Sequence, residues 1–325
     1  MTFSLHTIKL LCLIECGGNG KDIIPLLNIC ASSLESMEIE RMNIEGLQTA
    51  DTDMLKLKRL RIMDACNGSD GSNFAPFVNH CGTTLEQLEI VKTKIDQFNI
   101  TSPIIGLRRL HIDLNKDEGF HVIKDLVIAS ITTLESIWWR GITLNDFNIN
   151  DQSFEKLAHI SLHHPSLFVS TGVKKLLLAA STSLKTLDCN VGTFLDLQFE
   201  STTFRNLSKI KLYTARETSV VTIQNLMMAS SSSLQTLDLK NANLTGFEMA
   251  ESSMLNLVKI KFQFVESELE DIRTLICVCN NLQLLYLRHR KVRPEFGVLR
   301  QENPDIRIGI TPDKNSEAKD TTGEN

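Results

Sequence analysis

The chain repeats one arrangement of apolar positions, apolar-x-x-apolar-x-apolar, in which x is any residue. The second half of this pattern alternates between apolar and variable positions, which predicts a short β-strand with one buried face. Twelve copies of one pattern predict a repeat architecture rather than a set of unrelated domains. The copies begin at Leu5, Leu34, Leu57, Leu85, Leu107, Leu134, Leu157, Leu184, Leu207, Leu234, Leu257 and Leu282.

The spacing between copies alternates, so the repeating unit is a pair. Leu134 and Leu157 are 23 residues apart, Leu157 and Leu184 are 27 apart, and Leu184 and Leu207 are again 23 apart. Because no copy can bury its own apolar residues, stacked copies are expected to form one parallel sheet of twelve or thirteen strands. A 50-residue spacing holds for Leu57, Leu107, Leu157, Leu207 and Leu257.

Two kinds of connection follow the strands. After every second strand, apolar residues spaced i, i+3 and i+4, such as Ile123, Leu126 and Val127, predict a helix of about three turns. The other strands are followed by shorter segments, at 95–100, 144–149 and 244–249, whose period of two predicts an extended stretch that buries a Phe. The expected fold is an α/β solenoid shaped as a curved horseshoe. Its parallel sheet lines the concave face, and helices alternate with short extended segments on the convex face.

The Leu-x-x-Leu-x-Leu cores resemble those of the leucine-rich-repeat superfamily, and the resemblance covers residues 3 to 290. Segments 26–39 and 84–90 are similar to the repeats of F-box/leucine-rich-repeat substrate receptors. This resemblance implies a module that binds a protein partner and presents it to ubiquitin-ligase subunits, although no F-box precedes the first repeat. Regulatory leucine-rich-repeat proteins, such as small-GTPase activators or innate-sensing repeat domains, are the alternative.

Composition limits the partners and the compartment. The chain has 42% hydrophobic residues, a net charge of −5 and no block of Lys and Arg, which disfavours a nucleic-acid surface. No apolar stretch approaches the length of about twenty residues that spans a membrane. The eight cysteines do not form paired caps, which favours free thiols in a reducing compartment, cytoplasmic or nuclear. Residues 1–310 are interpreted as one solenoid, and the polar residues 311–325 as a disordered tail.

No catalytic or metal-binding arrangement stands out, so the chain is predicted not to be an enzyme and to need no cofactor. Residues 17–22 (GGNGKD) resemble a phosphate-binding loop, but Glu15 stands where the first Gly is needed and the residue after Lys is neither Ser nor Thr. His159, His163 and His164 have no Cys or carboxylate nearby at ligand spacing. They fit surface histidines better than a metal site.

The outward side chains of the predicted strands form alternating columns of charge. If the second and third apolar residues of each copy point inward, strands that precede helices present basic pairs such as Arg59 and Arg61, or Lys209 and Lys211. The strands between them present acidic or neutral residues, for example Asp188. Because neighbouring strands lie about 4.8 Å apart, these columns are expected to form cross-strand pairs. A dedicated site for a charged ligand is the alternative.

The middle strands interrupt this alternation and provide the candidate binding site. The phase of the pattern predicts that Trp138 faces outward and Trp139 inward, with the reverse as the alternative. Trp and Arg carry much of the binding energy of protein interfaces, and Arg140 is expected to lack an ion-pair partner. The predicted partner-binding residues on the concave face are His111, Asp113, Trp138, Arg140, His159 and His163.

Overall fold

The protein is an α/β repeat protein whose strands form a parallel sheet. In the described residues there are thirteen β-strands and seven α-helices, and the strands lie in the sheet in chain order, which confirms the predicted twelve or thirteen. The chain divides into two compact units, Met1–His163 and His164–Asn325. The computed structural model describes residues 7–47, 56–65, 75–95, 104–114, 120–142, 144, 147, 149, 152–163, 170–191, 198–201, 203–214, 220–264, 267–289 and 294–312.

Unit 1 contains seven of these strands and three helices within the described residues. The strands are β1 (Leu10–Ile14), β2 (Ser36–Glu40), β3 (Arg59–Met63), β4 (Gln87–Val91), β5 (Arg109–Asp113), β6 (Ser136–Arg140) and β7 (His159–His163). The helices are α1 (Gly20–Cys30), α2 (Ala75–Cys81) and α3 (Phe120–Ala129). Each strand pairs in parallel with its sequence neighbours without a shift in register.

Unit 2 has the same organisation. Its described strands are β8 (Thr186–Val191), β9 (Lys209–Thr214), β10 (Thr236–Lys240), β11 (Lys259–Gln263), β12 (Leu284–His289) and β13 (Arg307–Pro312). The helices are α4 (Ser170–Ala179), α5 (Val220–Ala229), α6 (Leu269–Cys277) and α7 (Val298–Glu302), and a short 3-10 turn covers Pro294–Gly297. Successive strands again pair in parallel and in register.

The predicted 50-residue period is confirmed. Strands β3, β5, β7, β9 and β11 begin at residues 59, 109, 159, 209 and 259, and helices α3, α4 and α5 begin at 120, 170 and 220. The predicted helical face is also buried, since Ile123, Leu126 and Val127 of α3 are each 0% exposed. Because the repeat is regular and the register is unshifted, side chains at the same position of successive strands lie next to each other. Residues of one type at that position therefore form a continuous row across the strands of a unit.

Each strand has one buried and one partly exposed face. In most strands the second and fourth residues are buried, as in Leu237 and Leu239 of β10, whereas the first, third and fifth residues remain in part accessible to solvent. Leu11, Val91 and Ile310 are the exceptions among the described residues. We call the surface formed by the first, third and fifth strand positions the open face of each unit. In the described residues the helices contribute buried apolar side chains, which assigns them to the other side of the sheet.

Two of the segments between helix-containing repeats, at 144–149 and 244–249, bury their Phe residues and contain a turn. Phe147 and Phe247 are 1% and 3% exposed, as predicted. The backbone N–H of Phe247 donates to the carbonyl of Leu244 at 2.9 Å, and Gly246 lies at a φ of +77°, so residues 244–247 form a turn. The expectation of an extended stretch is therefore wrong here, because Gly246 permits a reversal that a period-two pattern does not reveal. Of the segment 95–100, only Ile95 lies within the described residues.

The strands end in a recurrent left-handed backbone conformation. Arg41, Lys92 and Asn241, each the residue after a strand, have φ between 49° and 56°. Their N–H groups donate to Met63, Asp113 and Gln263 of the next strand at 3.0, 2.6 and 2.8 Å. This conformation adds one hydrogen bond to each strand pair and turns the chain out of the sheet. Glu15, Asp64 and Phe264 follow their strands in the same way.

Two sequence interpretations concern the ends of repeats. Asn19 caps the N-terminus of α1 and Asp22 accepts from its backbone N–H, so residues 17–22 serve as a strand-to-helix loop closed by a capping box. At the other end, Thr311 and Pro312 belong to β13, so the final strand is two residues longer than its apolar pattern indicates. Residues 313–325 lie outside the described part of the chain.

We expect Leu237→Ala to lower the free energy of unfolding by about 2 to 5 kcal/mol, because its side chain lies in a fully packed row. Leu237 is 0% exposed, and its register partners Ile210 and Ile260 are buried as well. Chemical denaturation measures the change. A loss below about 1 kcal/mol would contradict the assigned packing.

Gly141→Ala is expected to destabilise the protein by about 2 kcal/mol or more, because a left-handed backbone and a steric clash act together. Gly141 has a φ of +74°, and an added Cβ would lie 1.9 Å from the carbonyl oxygen of Leu114. The matched control is Gly246→Ala, where φ is +77° but the Cβ would meet nothing within 4 Å. Equal losses in thermal unfolding would show that the contact with Leu114 is irrelevant.

Candidate functional site

The open face of unit 1 brings the predicted binding residues onto three adjacent strands. In β5, β6 and β7 the register pairs His111 with Trp138 and Trp138 with Ser161. It also pairs Asp113 with Arg140. Because the strands are unshifted, side chains at equivalent positions lie about 4.8 Å apart across the sheet.

The strands before this site carry the predicted cross-strand ion pairs. Arg61 of β3 places its Nη1 2.7 Å from Glu38 Oε1 of β2 and its Nε 3.2 Å from Glu89 Oε2 of β4, the second contact without hydrogen-bond geometry. Arg59 Nη2 adds a contact of 3.3 Å to Glu89 Oε1. These side chains are partly exposed, so each pair contributes modestly to stability, on the order of 0 to 1 kcal/mol. Their charges are satisfied within the sheet, which confirms the interpretation as paired columns for β2, β3 and β4.

Trp138 lies at the centre of an aromatic cluster. The centre of its ring is 4.1 Å from that of His111 and 5.3 Å from that of His163, with interplanar angles of 55° and 36°. Trp139 is 2% exposed and packs edge-on against Phe147, with ring centres 6.1 Å apart. The predicted phase, with Trp138 outward and Trp139 inward, is therefore confirmed.

One residue that the sequence did not single out completes this cluster. Ser161, at the third position of β7, has its Oγ 2.8 Å from Nε2 of His163. The hydroxyl orients the imidazole of His163 beside Trp138, which reduces the freedom of both rings. Alignment of the copies at Leu134 and Leu157 could have predicted this contact, because it places Ser161 directly opposite Trp138.

Arg140 is not free, contrary to expectation. Its Nη1 lies 3.7 Å from Oδ2 of Asp113, the register partner on β5. The Arg140 side chain is 60% exposed and that of Asp113 only 14%, so the guanidinium covers the carboxylate and keeps several donors available to solvent. The pattern places Asp113 next to Arg140 on the neighbouring strand, but it does not predict the ion pair, which depends on the rotamer of the long Arg140 side chain.

Of the predicted residues, His159 belongs neither to the aromatic cluster nor to the Arg140–Asp113 pair beside it. It pairs with Ser136 in the register and is exposed. Within the described residues its ring contacts neither Trp138 nor His163. The cluster therefore consists of His111, Trp138 and His163, with the Arg140–Asp113 pair at one side.

The environment of His111 favours its neutral form. Burial lowers the pKa of His111 below its ordinary value, and the positive charge of Arg61 acts in the same direction. Glu89 and Asp113 oppose this shift without cancelling it. The centre of the open face in unit 1 is an aromatic surface bordered by internally paired charges, an arrangement suited to contact with apolar or aromatic groups.

We also searched the described residues for a metal site, a reactive thiol and a membrane-spanning helix. In that part of the chain no group of three or more His, Cys, Asp and Glu side chains is placed to hold a metal ion. Burial raises the pKa of the Cys81 thiol to about 12, which keeps it protonated and unreactive. None of the helices in the described ranges has the length and apolar character needed to cross a bilayer.

No protein-family model matches this chain, and no curated protein matches it either.

We expect His111 to make stability depend on pH. Because its pKa is lowered in the folded protein, its contribution to stability is fully present above the ordinary histidine pKa of 6.5 and is lost as pH falls through the lower folded value. His111→Gln removes this dependence, so the wild-type protein should lose stability relative to the variant as pH falls below 6.5. Thermal unfolding across this range provides the measurement. Parallel pH profiles for the two proteins would contradict the assigned environment.

Proposed function

We propose that this chain is a leucine-rich-repeat protein that binds a protein partner through the open face of β5, β6 and β7 in unit 1. Binding rather than catalysis is the proposed activity. The 50-residue strand period and the buried Leu rows support the repeat assignment. The aromatic cluster around Trp138 supports the position of the binding surface.

The observation that carries this proposal is the half-exposed Trp138, held between His111 and His163. Aromatic residues make up only 6% of the chain, so a Trp that is accessible to solvent on a regular strand is unusual here and indicates a role in binding. A ring fixed by two neighbours loses little conformational entropy when a partner packs on it. Large, rigid aromatic side chains at the centre of a surface are the usual hot spots of protein recognition.

The surrounding charges indicate what the partner offers. The exposed guanidinium of Arg140 retains donors for a carboxylate or a carbonyl group of the partner. The Arg61–Glu38 and Arg61–Glu89 pairs are already satisfied, so they supply a polar rim rather than binding energy. A partner with an apolar or aromatic anchor and an acidic or polar group beside it fits this face.

The biological setting follows from the resemblance of the repeats to those of F-box/leucine-rich-repeat receptors. We infer that the partner is a substrate presented to ubiquitin-ligase subunits, in the cytoplasm or the nucleus. The described cysteines, which are all free, support a reducing compartment. A stable complex of this kind buries about 1,200 to 2,000 Å² in total.

Trp138→Ala should weaken partner binding by about 2 kcal/mol or more and leave the thermal midpoint nearly unchanged, because the lost contacts are those of an open-face residue. Affinity capture from cell extract, run in parallel with wild-type and variant protein and followed by mass spectrometry, identifies the proteins retained by one and lost by the other. Calorimetry with the purified partner then gives the change in affinity. Recovery of cullin-ligase subunits in the wild-type sample would support the ligase setting.

The matched control is Met63→Ala, which truncates another partly exposed apolar side chain at the open face, on β3. This variant should retain the partner because its strand lies three positions from β6 in the sheet. If Trp138→Ala unfolds the protein while the folded fraction keeps its affinity, Trp138 is a packing residue and the binding surface lies elsewhere. Equal loss of binding in both variants would also contradict the proposal.

A further inference from the structure

The open face of unit 2 is strongly basic, although the whole chain has a net charge of −5. Its first, third and fifth strand positions hold seven cationic side chains and two carboxylates, a net charge of +5. The same positions in unit 1 hold four cations and four carboxylates, which cancel. The cations of unit 2 are Lys209, Lys211, Lys240, Lys259, Lys261, Arg288 and Arg307, and the carboxylates are Asp188 and Asp238.

The excess charge lies in rows that contain no carboxylate. The first positions of β9, β11 and β13 are Lys209, Lys259 and Arg307, separated by the uncharged Thr236 and Leu284 of the strands between them. Successive cations in this row are two strands, or about 9.6 Å, apart. Neither Lys209 nor Lys259 forms an ion pair with any described residue. Their charges therefore remain open to a ligand.

The third-position row differs because it is internally compensated. Lys211 Nζ lies 3.1 Å from Oδ2 of Asp188 on β8. Asp238 of β10 lies between Lys211 and Lys261 in the register, and its Oδ1 accepts from Gln263 at 3.4 Å. This row resembles the paired columns of unit 1 and leaves little charge for a partner.

The fifth-position row combines cations with aromatic rings. Lys240 Nζ lies 5.6 Å from the centre of the Tyr213 ring, and the Arg288 guanidinium lies 5.2 Å from that of Phe264. Stacking on a ring holds a cation at a defined place on the surface. The first-position and fifth-position rows are thus cationic, and the third-position row between them is compensated.

We propose that the open face of unit 2 binds an acidic polypeptide segment that crosses the strands in an extended conformation. A chain in the extended polyproline II conformation has three residues per turn and advances about 3.1 Å per residue, so carboxylates three residues apart lie on one face, about 9.3 Å apart, and match cations about 9.6 Å apart. A nucleic acid fits less well, because its closely and evenly spaced phosphates would approach Asp188 and Asp238 in the middle row. A peptide can place an uncharged residue at those points.

This surface is separate from the proposed contact around Trp138. It lies on other strands, in the other compact unit, and attracts charge rather than apolar groups. Its test therefore succeeds or fails independently of the partner proposed for unit 1.

The experiment uses the full chain and a fluorescein-labelled peptide of Glu-Gly-Gly repeats, which places a carboxylate at every third residue. Fluorescence anisotropy should show binding that weakens as salt is added. Reversing two cations of the first row, Lys209→Glu with Lys259→Glu, should weaken binding by about tenfold or more. Lys209→Gln with Lys259→Gln should give a smaller loss in the same direction, and circular dichroism establishes that both variants are folded.

The 50-residue period provides a matched control at the equivalent positions of unit 1. Arg59→Glu with Arg109→Glu changes the net charge by the same amount, also at first positions two strands apart, on β3 and β5. It should leave peptide binding within about twofold of wild type, because unit 1 has no cationic excess. Equal losses in the two reversed variants, or no binding by the wild-type protein, would overturn the proposal. Tighter binding of oligothymidylate through the same lysines would assign the surface to nucleic acid and overturn it as well.

Discussion

The fold depends on burying two side chains per strand that no single repeat can cover alone. In β10 the register places Leu237 between Ile210 and Ile260, and all three are fully buried. Each strand completes the core of its neighbours, so apolar burial, worth about 25 cal/mol per Å², is gained only when repeats stack. Stability is therefore shared within each unit rather than located in one repeat.

This constraint fixes the inward positions and leaves the outward positions free to differ. The two units share one strand pattern but use the open face differently. In unit 1 the Arg and Glu side chains neutralise each other beside an aromatic cluster that contains Trp138. In the described part of unit 2, the lysines at the first strand positions have uncharged register partners and form no ion pair, and the third-position row is compensated. The same backbone thus supports an aromatic surface in one unit and a cationic surface in the other.

The sequence predicted those features that recur with the repeat. Periodicity alone predicts where the strands lie and which face of α3 is buried. It also predicts that Trp138 faces outward, because a one-residue shift of the strand would expose a row of apolar residues. The turn at residues 244–247 was missed because it depends on the positive φ of Gly246. The contact of Arg140 with Asp113 was missed because it depends on the rotamer of a long side chain, which a pattern of residue types does not contain.

The alternation of charge along the third strand positions also affects which strands such a chain can gain or lose. Loss of β9 and β10 together would bring Asp188 beside Lys261 and preserve the attraction between neighbours. Loss of β10 alone would set Lys211 beside Lys261, two like charges about 5 Å apart in their backbone positions. Within β8 to β11, where the third positions alternate in charge, strands are therefore best gained or lost in pairs, because a change by one strand places like charges side by side.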